Sequence, residues 1–201
     1  MIKAILFDFD GVLTIDKTGS ESIIRFISDK SRIPLEVVKT NYYKYNRELL
    51  SGEITHKDMW NSFCNDIGQK LDYSILIEAF KNTLLDKEMI EFLKELKLNY
   101  LIALVTDNKV DRINTILEYS DLKKYFDVVS ISAKLKSRKD KRYIFEDTIL
   151  NLKIQPEECV FIDNTDRNLI IPKSMGICTI LFDDERRCIH KFKQDLMSLI
   201  R

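Results

Sequence analysis

The chain has 201 residues, enough for one sizeable domain or a domain carrying a modest insertion. Its hydrophobic share of 45% and charged share of 32% are those of an ordinary globular protein, and Lys plus Arg balance Asp plus Glu at 32 each. That balance gives no net field to recruit nucleic acid or an anionic membrane, and no long apolar run or basic-then-apolar leader is seen. A cytoplasmic protein with neither nucleic-acid nor membrane partners is therefore expected; no feature sets an oligomeric state. The four cysteines, Cys64, Cys159, Cys178 and Cys188, are widely spaced and form no C-x-x-C. Cys159 and Cys178 lie in apolar runs and read as small buried hydrophobes rather than disulfide or zinc ligands.

The first element is an apolar run, Ile2 to Phe7, that ends in Asp8-Phe9-Asp10-Gly11. It is short enough for one strand buried on both faces, where an unpaired carboxylate would be costly. The aspartates therefore belong at the strand's carboxyl end, where open α/β sheets place their ligand crevices. Strand neighbours point to opposite faces, so Asp8 and Asp10 share a site only if the chain leaves the strand path after Asp8. Gly11 suits that departure. Asp-Gly is also an ordinary turn, and the stretch alone fits either reading.

From Ser20 to about Leu85 only helical spacing is found. Ser20 is placed to cap a helix carrying Ile23, Ile24 and Ile27, and Pro34 opens a second that runs to Leu50 and stops at Ser51-Gly52. Thr55 caps a third, with Met59, Trp60 and Phe63 on one side, which closes at Gly68; a fourth covers roughly 72–84. Short turns between four helices predict a small bundle. A different grammar follows: Asp86 caps a helix through Lys97, then strand 100–106, helix 109–119, strand 128–132, helix 141–150, strand 159–162, helix 167–174, strand 178–182 and a last helix from about 184. Such alternation predicts a parallel sheet covered on both faces, an α/β, Rossmann-like architecture that includes the first strand. Residues 1–15 and 86–201 then form the core, and 16–85 an inserted all-helical cap over the carboxyl end of strand one.

The later strands also end in polar residues: Thr106-Asp107-Asn108 after one, Asp163-Asn164-Thr165-Asp166 after another, with the basic run Lys134 to Lys139 between them. In a parallel sheet these ends share one edge, so Asp8, Asp10, Thr106, Lys139 and Asp163 can converge. Two carboxylates about 4 Å apart repel by roughly 4 kcal/mol at an effective dielectric near 20, so the acids call for a cation. With no His or Cys in these loops the ligands are oxygens, which suits Mg²⁺.

Here the chain is identified as resembling the haloacid dehalogenase-like hydrolases. Asp8-Phe9-Asp10-Gly11-Val12-Leu13-Thr14 is similar to the first motif of that superfamily, Val105-Thr106-Asp107-Asn108 to the second, Lys139 with Ile144-Phe145 to the third, and Phe161-Ile162-Asp163-Asn164 to the fourth. The four occur in order over essentially the whole chain, and the insertion matches the helical cap after the first motif. The resemblance implies that Asp8 is a nucleophile forming an aspartyl-phosphate and that Asp10 is the general acid and base. Dehalogenating members carry a non-acidic residue at the Asp10 position, so Asp10 implies phosphate chemistry. Thr106 would bind the phosphoryl oxygens with the backbone N–H groups of Phe9, Asp10 and Asp107, and Asn108 would open a helix whose positive end favours an anion. Lys139 would neutralise charge, and Mg²⁺ would be held by Asp8, the Asp10 carbonyl and Asp163.

Two positions depart from the family's pattern. Asn164 stands where a second acid is common, in reach of a metal-bound water, with Asp166 in the same loop; Asp140 stands where proline usually follows the lysine. Lys134 and Lys136 are rivals of Lys139, although the interval to Ile144-Phe145 favours Lys139; Arg138 and Lys141 read as solvated. The aromatic stretch Tyr42-Tyr43-Lys44-Tyr45-Asn46-Arg47 with Trp60 fits bundle core or a substrate surface. Ser51-Gly52-Glu53-Ile54-Thr55 resembles a loop of hexose-phosphate enzymes that dips toward the Asp10 position, while His56 and His190 show no carboxylate partner. The function implied is a Mg²⁺-dependent phosphatase of a small phosphorylated metabolite, a sugar phosphate among the candidates. A phosphomutase or an idle binding module with the same fold is the alternative.

Overall fold

Strand β1 (Ala4–Phe7) is the centre of a five-stranded parallel sheet of order β3-β2-β1-β4-β5, with β2 at Leu101–Thr106, β3 at Val128–Ile131, β4 at Cys159–Asp163 and β5 at Cys178–Leu181. The structure is a computed structural model that describes residues 1–200. All four residues of β1 are buried, as expected of a strand flanked on both edges and both faces. Its side chains alternate between two cores. Ile5 and Phe7 join Ile102, Leu104, Val160 and Ile162 on one face, whereas Ala4 and Leu6 join Ala103, Val105, Cys159 and Phe161 on the other.

The first face is covered by α5 (Lys87–Lys97), α6 (Val110–Tyr119) and α10 (Ile189–Ile200), the second by α8 (Tyr143–Leu152) and α9 (Ile170–Ser174) with the turn before it. Between β1 and α5 lie α1 (Gly19–Ser31), α2 (Leu35–Ser51), α3 (His56–Asp66) and α4 (Ser74–Lys81), an all-helical insertion. The apolar side of the insertion (Ile23, Tyr42, Phe63, Phe80) runs on into the first core through Val12 and Leu13.

Most element boundaries match the sequence reading within a few residues, and the exceptions have local causes. Helix α1 starts earlier, because Thr18 and not Ser20 accepts the first-turn amide of Glu21; Ser20 is buried and bonds across to α2. Thr55 caps α3 in a reciprocal box with Asp58, and Asp86 caps α5. The fourth helix is only eight residues, and the last begins at Ile189 after a turn braced by Arg187. A one-turn helix, α7 (Ser132–Leu135), occupies the start of the basic run, ended by Lys136 in the left-handed region. Cys178 is exposed rather than buried, because β5 is an edge strand with nothing packed over that position.

The loop after β1 does what the glycine suggested. Gly11 takes φ +79°, and the chain makes one tight turn closed by Leu13 and Thr14 N–H groups donating to the Phe9 carbonyl. Thr14 then bridges to Leu85, fixing where the insertion leaves and returns. Arg187 donates to the Gly11 and Val12 carbonyls and to Asp86, which ties this turn to the start of α5.

Gly52 ends α2 at φ +73° with its backbone against Ala133 of α7, and a Cβ there would overlap the Ala133 carbonyl oxygen. Gly68 has nearly the same φ, +72°, but open space around it. Gly68→Ala is expected to cost about 1–2 kcal/mol from left-handed strain alone. Gly52→Ala is expected to cost about 1–3 kcal/mol more through overpacking, read as a larger shift of the urea midpoint.

Candidate active site

The strand ends carry their polar residues to a single edge. Phe7 is in register with Leu104 and Ile162, so Asp8 lies one residue beyond them, level with the ends of β2 and β4 where Thr106 and Asp163 sit. A cavity of about 480 Å³ opens there, lined from the sheet by Asp8, Asp10, Thr106, Asp107, Asn108, Lys139 and Asn164 and from the helical side by Ser20, Tyr43, Asn46, Arg47 and Leu50. Phe9 is not in that lining; its ring is core, under the Arg112 guanidinium at 5.6 Å. Of Tyr42 to Arg47, Tyr42 is bundle core, as is Trp60, while Tyr43, Asn46 and Arg47 reach the cavity. The loop 51–55 rests on α7 and does not line the cavity.

Lys139 is distinguished from its rivals by burial: it is 2% exposed, whereas Lys134 and Lys136 are open to solvent. Its Nζ lies 2.8 Å from Asp8 Oδ2 and 2.6 Å from Asp163 Oδ2. Burial works against the ammonium, but Asp8 and Asp163 outweigh it and hold the lysine above its usual range. Burial pushes Asp8 up to about 7, with Asp163 and Asp10 adding to the rise and Lys139 opposing it. Asp163 Oδ1 accepts the Thr165 N–H at 2.7 Å, and Asn168 Nδ2 reaches both its oxygens at 3.1 Å. Asp107 accepts the Lys139 backbone N–H at 2.9 Å and Arg138 Nε at 3.1 Å, so Arg138 belongs to the cavity rather than to a merely solvated loop. Lys141 is exposed, as expected.

Asp10 has a partner that the motifs did not indicate. Arg112, in the first turn of α6 and fully buried, donates NH1 to Asp10 Oδ2 at 2.9 Å and NH2 to Oδ1 at 2.8 Å. Asn108 Nδ2 adds a bond to Asp10 Oδ2 at 2.8 Å, and Arg112 NH1 returns to Asn108 Oδ1 at 3.0 Å. This fork-on-fork geometry fixes the carboxylate's plane. The start of α1 packs so closely here that a Cβ on Gly19 would overlap the guanidinium. The sequence reading has a helix opening at Asn108, but α6 begins only at Val110 with Lys109 as its N-cap; Asn108 is left in the loop to bond Asp10, and nothing in the sequence marked Arg112 as buried.

Asn164 packs against Gly11 and donates its amide to Asp184 Oδ2 at 2.8 Å, while Asp166 is exposed at the start of the next turn. His190 is exposed, but His56 does have a carboxylate partner. It is fully buried at the start of α3, with Nδ1 2.8 Å from Asp111 Oδ2 and Nε2 2.8 Å from the Tyr42 hydroxyl. Burial lowers the imidazole below its ordinary value, with Asp111 opposing, so the neutral ring donates Nδ1–H to Asp111 and accepts from Tyr42. The pair joins α3 of the insertion to α6 of the sheet layer. Among the described residues no three His, Cys, Asp or Glu side chains converge as a metal cage.

A parallel sheet with an acid-lined carboxyl edge beneath a helical insertion defines an α/β protein of the Rossmann-like class, with its candidate site at that edge. The profile of the haloacid dehalogenase-like hydrolases matches residues 2–176, and the chain belongs to that family. A comparison with curated proteins finds no match. Among solved structures, a HAD-like family hydrolase from Porphyromonas gingivalis superposes with TM-score 0.75 at 21% identity, covering 98% of each chain. A HAD family enzyme from Bacteroides thetaiotaomicron in its magnesium complex gives 0.77 at 20%, covering 95% of this chain and 98% of the other. An L-2-haloacid dehalogenase gives 0.68 at 16%, covering 90% and 84%. At these identities the likeness is one of fold.

Two outcomes follow from the buried partners. Arg112→Met strands a partly buried carboxylate and is expected to cost about 3–5 kcal/mol in urea unfolding, much of it recovered in the double variant with Asp10→Asn. His56 has a folded-state affinity for protons below that of the unfolded chain. Its stabilising contribution is therefore complete above a pH of about 6.5 and lost as the pH falls below it. Unfolding free energy measured between about pH 7.5 and 5.5 should fall more steeply for wild type than for His56→Gln.

Proposed function

We propose that the chain is a Mg²⁺-dependent phosphatase acting on a small phosphorylated metabolite through an aspartyl-phosphate on Asp8, with residues 16–85 as a cap over a core of 1–15 and 86–201. The observation that carries this is Lys139 Nζ set between Asp8 and Asp163, with Asp10 in the same cavity. A carbon–halogen enzyme has no need of an acid at Asp10, because halide leaves unprotonated, and Asp10 therefore favours phosphate over haloacid.

In this reading Asp8 attacks phosphorus in line. The new bond joins a carboxylate oxygen to phosphorus as the ester bond breaks, and Asp10 hands its proton to the leaving oxygen. Water then attacks the acyl phosphate, Asp10 takes its proton back, and inorganic phosphate leaves with Asp8 restored. The Thr106 hydroxyl donates to a phosphoryl oxygen, and Lys139 offsets the growing negative charge on the nucleophile and phosphoryl group. Arg112 and Asn108 orient Asp10 as a carboxylate, the form that accepts the proton of the attacking water in the second transfer.

The donor chemistry fits Mg²⁺. Asp8 and Asp163 supply oxygens only, two carboxylates are as many as that ion ordinarily takes from protein, and Asp8 at about 7 is short of positive charge. Asp8, Asp163 and the Asp10 carbonyl would hold it, and when bound it supplies charge against the phosphoryl oxygens. The Bacteroides thetaiotaomicron enzyme, also seen in complex with magnesium and inorganic phosphate, supports both ligands.

The test is phosphate release from p-nitrophenyl phosphate and a panel of phosphorylated metabolites, with Mg²⁺ and with a chelator. Activity should need the ion and fall at least about a thousandfold in Asp8→Asn. Asp10→Asn should lose about a hundredfold or more on alkyl esters, whose leaving group needs the proton. Chloride release from a haloacid with no phosphate release from any ester would overturn the reading.

A further inference from the structure

One buried cation in the cavity has no role in the chemistry above. Lys109 precedes α6, is 4% exposed and lines the cavity, yet it forms no ion pair among the described residues. The single hydrogen bond of its ammonium goes to a neutral hydroxyl, Ser20 Oγ at 2.8 Å, which in turn donates to Asn46 Oδ1 at 2.9 Å. The nearby carboxylates are already committed, Asp10 to Arg112 and Asp111 to His56. Burial and the neighbouring Arg112 push Lys109 down to about 7, against the pull of Asp10 and Asp111. Three other cations of the cavity wall are balanced, Lys139 by Asp8 and Asp163, Arg138 by Asp107 and Lys17 by Asp184 and Glu185, whereas the more open Arg47 and Arg167 have no carboxylate partner among the described residues.

A buried ammonium without a counter-ion is costly, and an apolar side chain would pack over the Tyr42 ring, 5.7 Å from Nζ, without that cost. The cluster is also rich in donors: two ammonium hydrogens and the Asn46 amide N–H groups remain for a ligand. Arg47, next to Asn46 on α2, adds a guanidinium at the cavity wall with no carboxylate partner among the described residues. Donors and positive charge where Lys109 meets α1 and α2 call for an anion there.

We infer that Lys109, with Ser20 and Asn46, forms the subsite for a second anionic group, so that the substrate is a phosphate ester that also carries a carboxylate or a further phosphate. The inference rests on the phosphatase reading, and it names the class of ester. Burying that group beside Lys109 would join the insertion and the sheet layer through the substrate itself, since Ser20 and Asn46 belong to α1 and α2.

The experiment compares three esters of similar size: 2-hydroxyethyl phosphate, phosphoglycolate and ethylene glycol bisphosphate. Wild type should prefer one or both doubly anionic esters in kcat/KM by about tenfold or more, and the better of the two identifies the second group as carboxylate or phosphate. That preference should fall about 10–100-fold in Lys109→Met, mainly through KM, and largely return in Lys109→Arg. Calorimetry of the same ligands on Asp8→Asn gives a readout independent of turnover, with tighter binding of the doubly anionic ligand lost in the Asp8→Asn, Lys109→Met double variant. Equal preference for the three esters, or a Lys109→Met effect of the same size on all of them, overturns the subsite. Absence of turnover with the selective binding intact overturns the phosphatase reading instead.

Discussion

One ammonium holds the site together. Asp8 and Asp163 come from strands joined edge to edge, and their charges face the same few ångströms of buried space. Lys139 arrives from a third segment and touches both. Its own burial is tolerable only because two carboxylates surround it, and theirs only because it is there. The short helix α7, the left-handed turn at Lys136 and the Asp107 bond to the Lys139 backbone all serve to bring that one Nζ to its place.

A second junction lies where the loop after β2 enters α6. Within five residues Asn108 and Arg112 hold Asp10, Lys109 reaches Ser20 and Asp111 pairs with His56. One stretch of backbone thus sets the second acid's orientation and also fastens the helical insertion. Gly19 at the start of α1 lies against the Arg112 guanidinium that holds Asp10, so the insertion and the second acid share that contact.

The sheet, its parallel sense and the helical insertion were legible in the sequence because the signals are local and repeated: apolar runs of strand length, caps such as Thr55 and Asp86, and a glycine where the chain turns. Asp8, Asp10, Thr106, Lys139 and Asp163 were legible for a different reason. Polar residues that close apolar strands sit where the sheet meets its crevice, and parallel strands bring those ends together. The partners one layer out were not legible. Arg112, Lys109 and His56 each look like solvated helix residues in one dimension, and only tertiary packing tells which face of α3 or α6 turns inward. Cys178 failed in the opposite direction, since an apolar run does not reveal that it is the edge of the sheet. Arg138 is exposed, as a basic loop residue should be, yet its Nε is tied to Asp107, a partner 31 positions away that no local pattern announces.

Asn164 is constrained by a neighbour. Its amide is spoken for by the Asp184 carboxylate, a residue twenty positions further on that approaches from the loop after β5. Restoring the acid that is common at this point in the family would set two carboxylates face to face where one now accepts a hydrogen bond. An acid at 164 would therefore compete with Asp184 for Lys17, the cation that Asp184 now holds, so the two positions are coupled through a single ammonium as well as through the amide.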